Sequence, residues 1–186
     1  MTLLIVIAVV LLVVVAPPLL AYNRFVSQRA LIANSWADID SELKRRHDLI
    51  PNLVATVKGY AAHEQQTMLA VTDARDAAMK AAATVQGRTA TEPAVGRALG
   101  SLFAVAERYP DLKANTNFLA LQTELTETED RLAAARRFYN NNVRDYNRRI
   151  SSVPTNVIAN AGHFTAAAFF EIDPGERSVP GVTPPQ

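Results

Sequence analysis

The stretch Asn117–Ile150, NFLALQTELTETEDRLAAARRFYNNNVRDYNRRI, decides the fold class. It holds no Gly and no Pro, and Phe118, Leu125, Leu132, Tyr139 and Tyr146 recur every seven residues, with Val153 next in the series. A seven-residue apolar repeat is the seam of a helix packed along other helices. Its charges are sorted as well. Glu124, Glu127, Glu129 and Asp130 come early; Arg131, Arg136, Arg137, Arg144, Arg148 and Arg149 come later. Acid near the start and base near the end suit the helix dipole. Asn115 or Thr116 is placed to cap the start, and Pro154 ends the pattern.

Upstream, Phe25, Ile32 and Ile39 repeat at seven, and Trp36, Leu43 and Ile50 form a companion series offset by four. Arg29 and Arg46 occupy places in this lattice where an apolar residue is expected. Pro51 predicts a kink or restart near Leu49–Asn52. The next segment carries Val54, Ala61 and Met68, with Val57 and Val71 beside them, and is expected to fade near Thr84–Gly87. Gly87–Glu92 reads as a polar connection, Pro93 as the start of a short helix over Ala94–Glu107, and Tyr109-Pro110-Asp111 as its end. A further turn is expected over Val157–Ala161, then an apolar cluster of Phe164, Phe169 and Phe170 folded back on the helices. Residues 173–186, with four Pro and two Gly, read as a disordered tail.

At the other end, Met1–Ala21 (MTLLIVIAVVLLVVVAPPLLA) has no charged side chain. Leu3–Ala16 alone would rise about 21 Å as a helix. With Leu19–Tyr22 the run reaches the roughly 20 residues that span a bilayer, and Pro17 and Pro18 are tolerated near the headgroups. A cleaved signal peptide is the competing reading. Against it, no Lys or Arg precedes the run and no clear A-x-A site follows. Arg24 and Arg29 come after the span, so the positive-inside bias puts the N-terminus outside and the body in the cytoplasm; a periplasmic body is the alternative.

The expected organisation is therefore an anchor over residues 1–22, an all-α body over 23–172 and a tail. Short connections between long helices make that body an elongated antiparallel bundle of three to four helices, preceded by one transmembrane helix.

Composition narrows the chemistry. The 186 residues carry net charge +1 and no Cys, so nothing global favours nucleic acid, and thiolate sites are excluded. No G-x-S-x-G, Walker or G-x-G-x-x-G motif occurs. Glu127 and Glu129 would face different directions on a helix, so no acid/base dyad and no catalytic residue is assigned. His47-Asp48 and His63-Glu64 are the places where imidazole meets carboxylate. Without converging ligand spacing they read as surface or capping histidines, and neither metal nor cofactor is assigned. A small ligand or metal near His47, His63 and Glu64 is the alternative, making the bundle a sensor. Arg144, Arg148 and Arg149 with Tyr139 and Tyr146 resemble a nucleic-acid patch, but the tyrosines keep the core period and should point inward, so no nucleic-acid partner is expected.

Charge in the seams is the feature needing explanation, because an unpaired buried charge is very costly. Glu64 and Glu129 are expected to accept from Arg46, Arg75 or Arg136 and so fix helix register; the competing reading is a partly exposed heptad edge.

The stretches Tyr22–Glu64 (YNRFVSQRALIANSWADIDSELKRRHDLIPNLVATVKGYAAHE) and Tyr109–Ile150, with FFE at Phe169–Glu171, resemble the LemA family. That resemblance implies a single N-terminal span in the bacterial inner membrane, an antiparallel helical body in the cytoplasm, and no established enzymatic activity. It also implies membrane-organising work, since a relative contributes to magnetosome membrane formation. The expectation is a non-enzymatic scaffold, partnered by the lipid bilayer and by another protein or further copies of itself.

Overall fold

The structure, a computed structural model, describes residues 1–171, without the side chains at positions 3, 6–10, 12 and 13. The tail expected over 173–186 lies outside the described residues. Those described are all-α, in six helices: α1 Thr2–Tyr60, α2 Gln65–Lys80, α3 Val85–Ala106, α4 Pro110–Lys113, α5 Thr116–Ser151 and α6 Thr155–Ala161. Two compact units share α1 and α5. The first comprises Met1–Asp38 and Ala135–Phe169; the second, Ile39–Ala134 with Phe170 and Glu171.

In the first unit, the buried centre is Phe25, Tyr146, Ala159 and Phe164. Phe25 stacks on Phe164 at 5.0 Å between centroids and meets Tyr146 edge-on at 6.1 Å, spacings at which aromatic pairs add to simple burial. Trp36 meets Tyr139 at 5.7 Å. Ascending positions on α1 thus face descending positions on α5, as in an antiparallel pair. The segment after α6 is strapped to α5. The Tyr139 hydroxyl donates to the Ala168 carbonyl at 2.9 Å, and the Asn147 amide both donates to and accepts from Ala167. Phe164 is buried in this unit, as the expected fold-back requires, while Phe169 is exposed; Phe170, buried as well, belongs to the second unit. The seven-residue series on α5 stops at Tyr146: Val153 falls past the end of the helix and is 81 % exposed.

In the second unit, parts of α1 and α5 pack with α2, α3 and α4. Its apolar centre includes Ile50, Leu53 and Val57 from α1, Met68 and Val71 from α2, Val95, Leu99 and Leu102 from α3, and Leu112, Phe118 and Leu125. Asn115 caps α5, its Oδ1 accepting from the Phe118 N–H at 3.0 Å.

Three expected boundaries differ. The restart at Pro51 does not occur: α1 runs through it. Proline removes the N–H that would bond the His47 carbonyl, and the Nε of Arg75, on α2, donates to that carbonyl instead, at 2.8 Å. Second, the chain breaks at Ala61–Glu64 rather than carrying helix through to Thr84. Ala61-Ala62-His63 has no strong helix-breaker, so the break is set by tertiary packing and not by propensity. Third, residues 87–92 are helical. Thr84 caps α3 by accepting from the Gly87 N–H at 3.2 Å, and Pro93 lies inside the helix.

Candidate functional site: a buried charge cluster

Extending the apolar row of α3 backward explains the cluster. Leu102, Leu99 and Val95 are spaced three and four apart; the next positions on that row are Glu92 and Arg88. Both are buried, Glu92 at 0 % exposure. The row of α1, Ile39, Leu43, Ile50 and Leu53, likewise contains Arg46, which is 3 % exposed. Helical spacing therefore aims a carboxylate and a guanidinium into one packed interior.

They meet there. Arg46 Nη2 donates to Glu92 Oε2 in a very short contact, and its Nη1 donates to Glu129 Oε1 on α5 at 2.9 Å. His47, the next residue on α1, places Nε2 3.2 Å from Glu92 Oε1. One turn away on α3, Arg88 donates from Nε and Nη2 to Asp40 Oδ1 at 3.1 and 2.8 Å, and from Nη1 to the Ala78 carbonyl at 2.7 Å. Arg131 on α5 reaches Glu42 on α1 at 3.2 Å. Three helices are thus cross-tied by charge.

Burial pushes the Glu92 carboxyl upward and is the largest single influence on it. The hydrogen bonds and charges of His47 and Arg46 together outweigh it, holding the carboxyl below its ordinary value of 4.5. Glu92 is therefore ionised at neutral pH while sealed from solvent. A carboxylate so enclosed has no access to a substrate. Sliding α3 by one turn, about 5.4 Å, would take Glu92 from Arg46 and His47 and leave charges buried without partners.

The residues singled out from sequence divide unevenly. Arg46 and Glu129 come together. Glu64 does not join them; it accepts from Arg108 Nη2 at 2.8 Å and lies 3.5 Å from the Tyr109 hydroxyl. Arg75 serves the His47 carbonyl and Asp76. Arg136 belongs to the other unit, half-buried on α5 with an interaction of its own. Glu92 and Arg88 went unnoticed because 87–92 reads as a connection; their place on the row of Val95, Leu99 and Leu102 was the available signal. His47, expected as a surface or capping residue, is buried against Glu92, whereas His63 and His163 are exposed. Among the described residues no group of three or more His, Asp or Glu is placed to hold a metal.

A family model described as "LemA family" matches residues 35–183, most of the chain and every residue of this cluster. The chain belongs to the LemA family. It is similar to "Magnetosome protein MamQ 2" of Paramagnetospirillum magneticum, 28 % identical over 191 residues that cover 89 % of this chain and 70 % of the relative. "Magnetosome protein MamQ" of Magnetospirillum gryphiswaldense is 25 % identical over the same coverage. "Protein LemA" of Metamycoplasma hominis is 26 % identical over 83 % of this chain and 71 % of the relative. None of these names is an enzyme's.

Among the described residues of this LemA-family chain, no helix is long and apolar enough to cross a membrane. The undescribed side chains at positions 3, 6–10, 12 and 13 fall within the uncharged run at the start of α1.

Proposed function

We propose that this chain is a membrane-anchored, non-enzymatic scaffold whose helical body binds a partner protein or further copies of itself. The carrying observation is at the start of α1. Leu4, Ile5, Leu11, Val14, Leu19 and Leu20 are each between 57 and 71 % exposed. An exposed apolar surface of that kind marks contact with something apolar, and an uncharged run of about 20 residues fits the thickness of a bilayer. The same helix continues without a break to Tyr60, past the buried Arg46 and His47. The reading is thus of one helix serving as both anchor and core element. Arg24 and Arg29 follow the run, which favours a cytoplasmic body under the positive-inside bias.

The charge cluster supports the structural half of the reading. Its carboxylates and guanidiniums are engaged with one another behind the helices, an arrangement suited to holding a surface in fixed register. The magnetosome relatives add a link to a bacterial organelle. In vivo crosslinking in intact membranes tests the proposal: a recurring heterologous or multimeric product is expected. A chain trapped only as monomer, or released from membranes by an alkaline wash, would overturn it.

A further inference from the structure

Where the apolar run of α1 ends, the first unit forms a groove of about 480 Å³, lined by Leu20, Ala21, Arg24, Gln28, Arg149 and Thr155 beside Phe25. Three helices build it. Leu20, Arg24 and Gln28 follow one another at intervals of four along one face of α1; Arg149 is in the last turn of α5, and Thr155 opens α6. We propose that this groove binds an anionic phospholipid headgroup, with Arg24 and Arg149 on its phosphate.

The groove has two guanidiniums and no acidic lining residue. Among the described residues neither Arg24 nor Arg149 makes an ion pair, although Arg148, adjacent to Arg149, is paired with Asp145 at 2.9 Å. The Arg149 Nε is buried without a hydrogen-bond partner, and so is the Gln28 Oε1. A buried donor and a buried acceptor left open are costly, and here both border one groove. A headgroup carrying a phosphate and a hydroxyl supplies what they lack: anionic oxygens for the guanidiniums and a donor for the amide oxygen. Phosphatidylglycerol has both, whereas phosphatidylcholine has no hydroxyl and adds a cation. Exposed Leu20 and neighbouring Ala21 would meet the upper acyl chain.

The inference rests on the anchor reading, which sets the groove at headgroup depth, but its test is separable from that reading. The full chain in an uncharged maltoside micelle is titrated with dihexanoyl-phosphatidylglycerol, dihexanoyl-phosphatidylcholine or inorganic phosphate, and bound ligand is counted by native mass spectrometry. The wild type should retain phosphatidylglycerol in preference to phosphatidylcholine. Arg24→Gln with Arg149→Gln should weaken that binding on the order of thirtyfold, from about fivefold per arginine at a lipid surface. Lys at both positions should restore most of it, with helix content unchanged by circular dichroism. If the double variant loses helix, R24Q alone, at an exposed position, should still weaken binding severalfold. Equal phosphatidylglycerol occupancy in wild type and variant overturns the proposal, as does equal binding of phosphatidylcholine. Displacement of the lipid by an equal concentration of inorganic phosphate overturns the lipid assignment. Release of the chain from membranes by alkaline wash, with short-chain phosphatidylglycerol still bound, would instead count against the anchor alone.

Discussion

Replacing Glu92 by Leu removes a carboxylate that faces both Arg46 and His47. Arg46 is 3 % exposed and cannot recover its lost partner from water. Breaking a buried ion pair from one side costs about 3–5 kcal/mol. The lower end applies here, because Glu129 remains 2.9 Å from Arg46 and is itself 43 % exposed. A loss of about 3 kcal/mol should lower the midpoint of thermal unfolding by about 6–12 °C in a chain of this size. The apolar double replacement R46M/E92L removes both charges and fills their space, so it should recover to within about 1 kcal/mol of the wild type. Thermal and urea unfolding of the full chain in detergent, followed by far-ultraviolet circular dichroism, would measure both. An E92L protein as stable as the wild type would refute the reasoning, and so would a double variant as unstable as the sum of its two singles.

The same carboxylate makes acid unfolding specific. Glu92 has its folded pKa below its ordinary value, so its ionised form stabilises the fold above that ordinary value and loses that contribution as pH falls through the folded one. Melting temperature between pH 7 and pH 3 should therefore fall less steeply in E92Q than in the wild type. Arg75→Met should destabilise by about 1–3 kcal/mol, since it leaves the His47 carbonyl without a donor. In a P51A background, where an N–H becomes available within α1, the same change should cost less than half as much. A Cβ at Gly87 would lie 2.3 Å from the Ala82 carbonyl oxygen, so G87A should lower stability by about 1–3 kcal/mol through forced backbone movement; unchanged melting would contradict that placement.

Helix identity was legible wherever the seven-residue rows ran unbroken. Phe118 to Tyr146 on α5 is buried throughout its heptads, and the proline at 110 and the cap at Asn115 marked real boundaries. Prolines inside helices do not end them here. Pro51 and Pro93 each lack an N–H, but a tertiary donor compensates the first and the cap at Thr84 lets α3 begin well before the second. The turn at Ala61–Glu64 left no local mark because its residues are compatible with helix. As for the site, Arg46 and Glu129 were visible as charges on or beside apolar rows. Glu92 was hidden by its neighbour Pro93, and Glu64 met Arg108, whose position depends on how α3 ends. Periodicity gives the face a side chain presents; which partner it finds depends on the packing of helices distant in sequence.

In the proposed function, α1 would carry the helical body on the cytoplasmic side of a membrane. Protease protection of a C-terminal tag in intact spheroplasts tests it most directly. A tag that survives external protease and is cleaved once the membrane is permeabilised is the expected result. Cleavage in intact spheroplasts would contradict it.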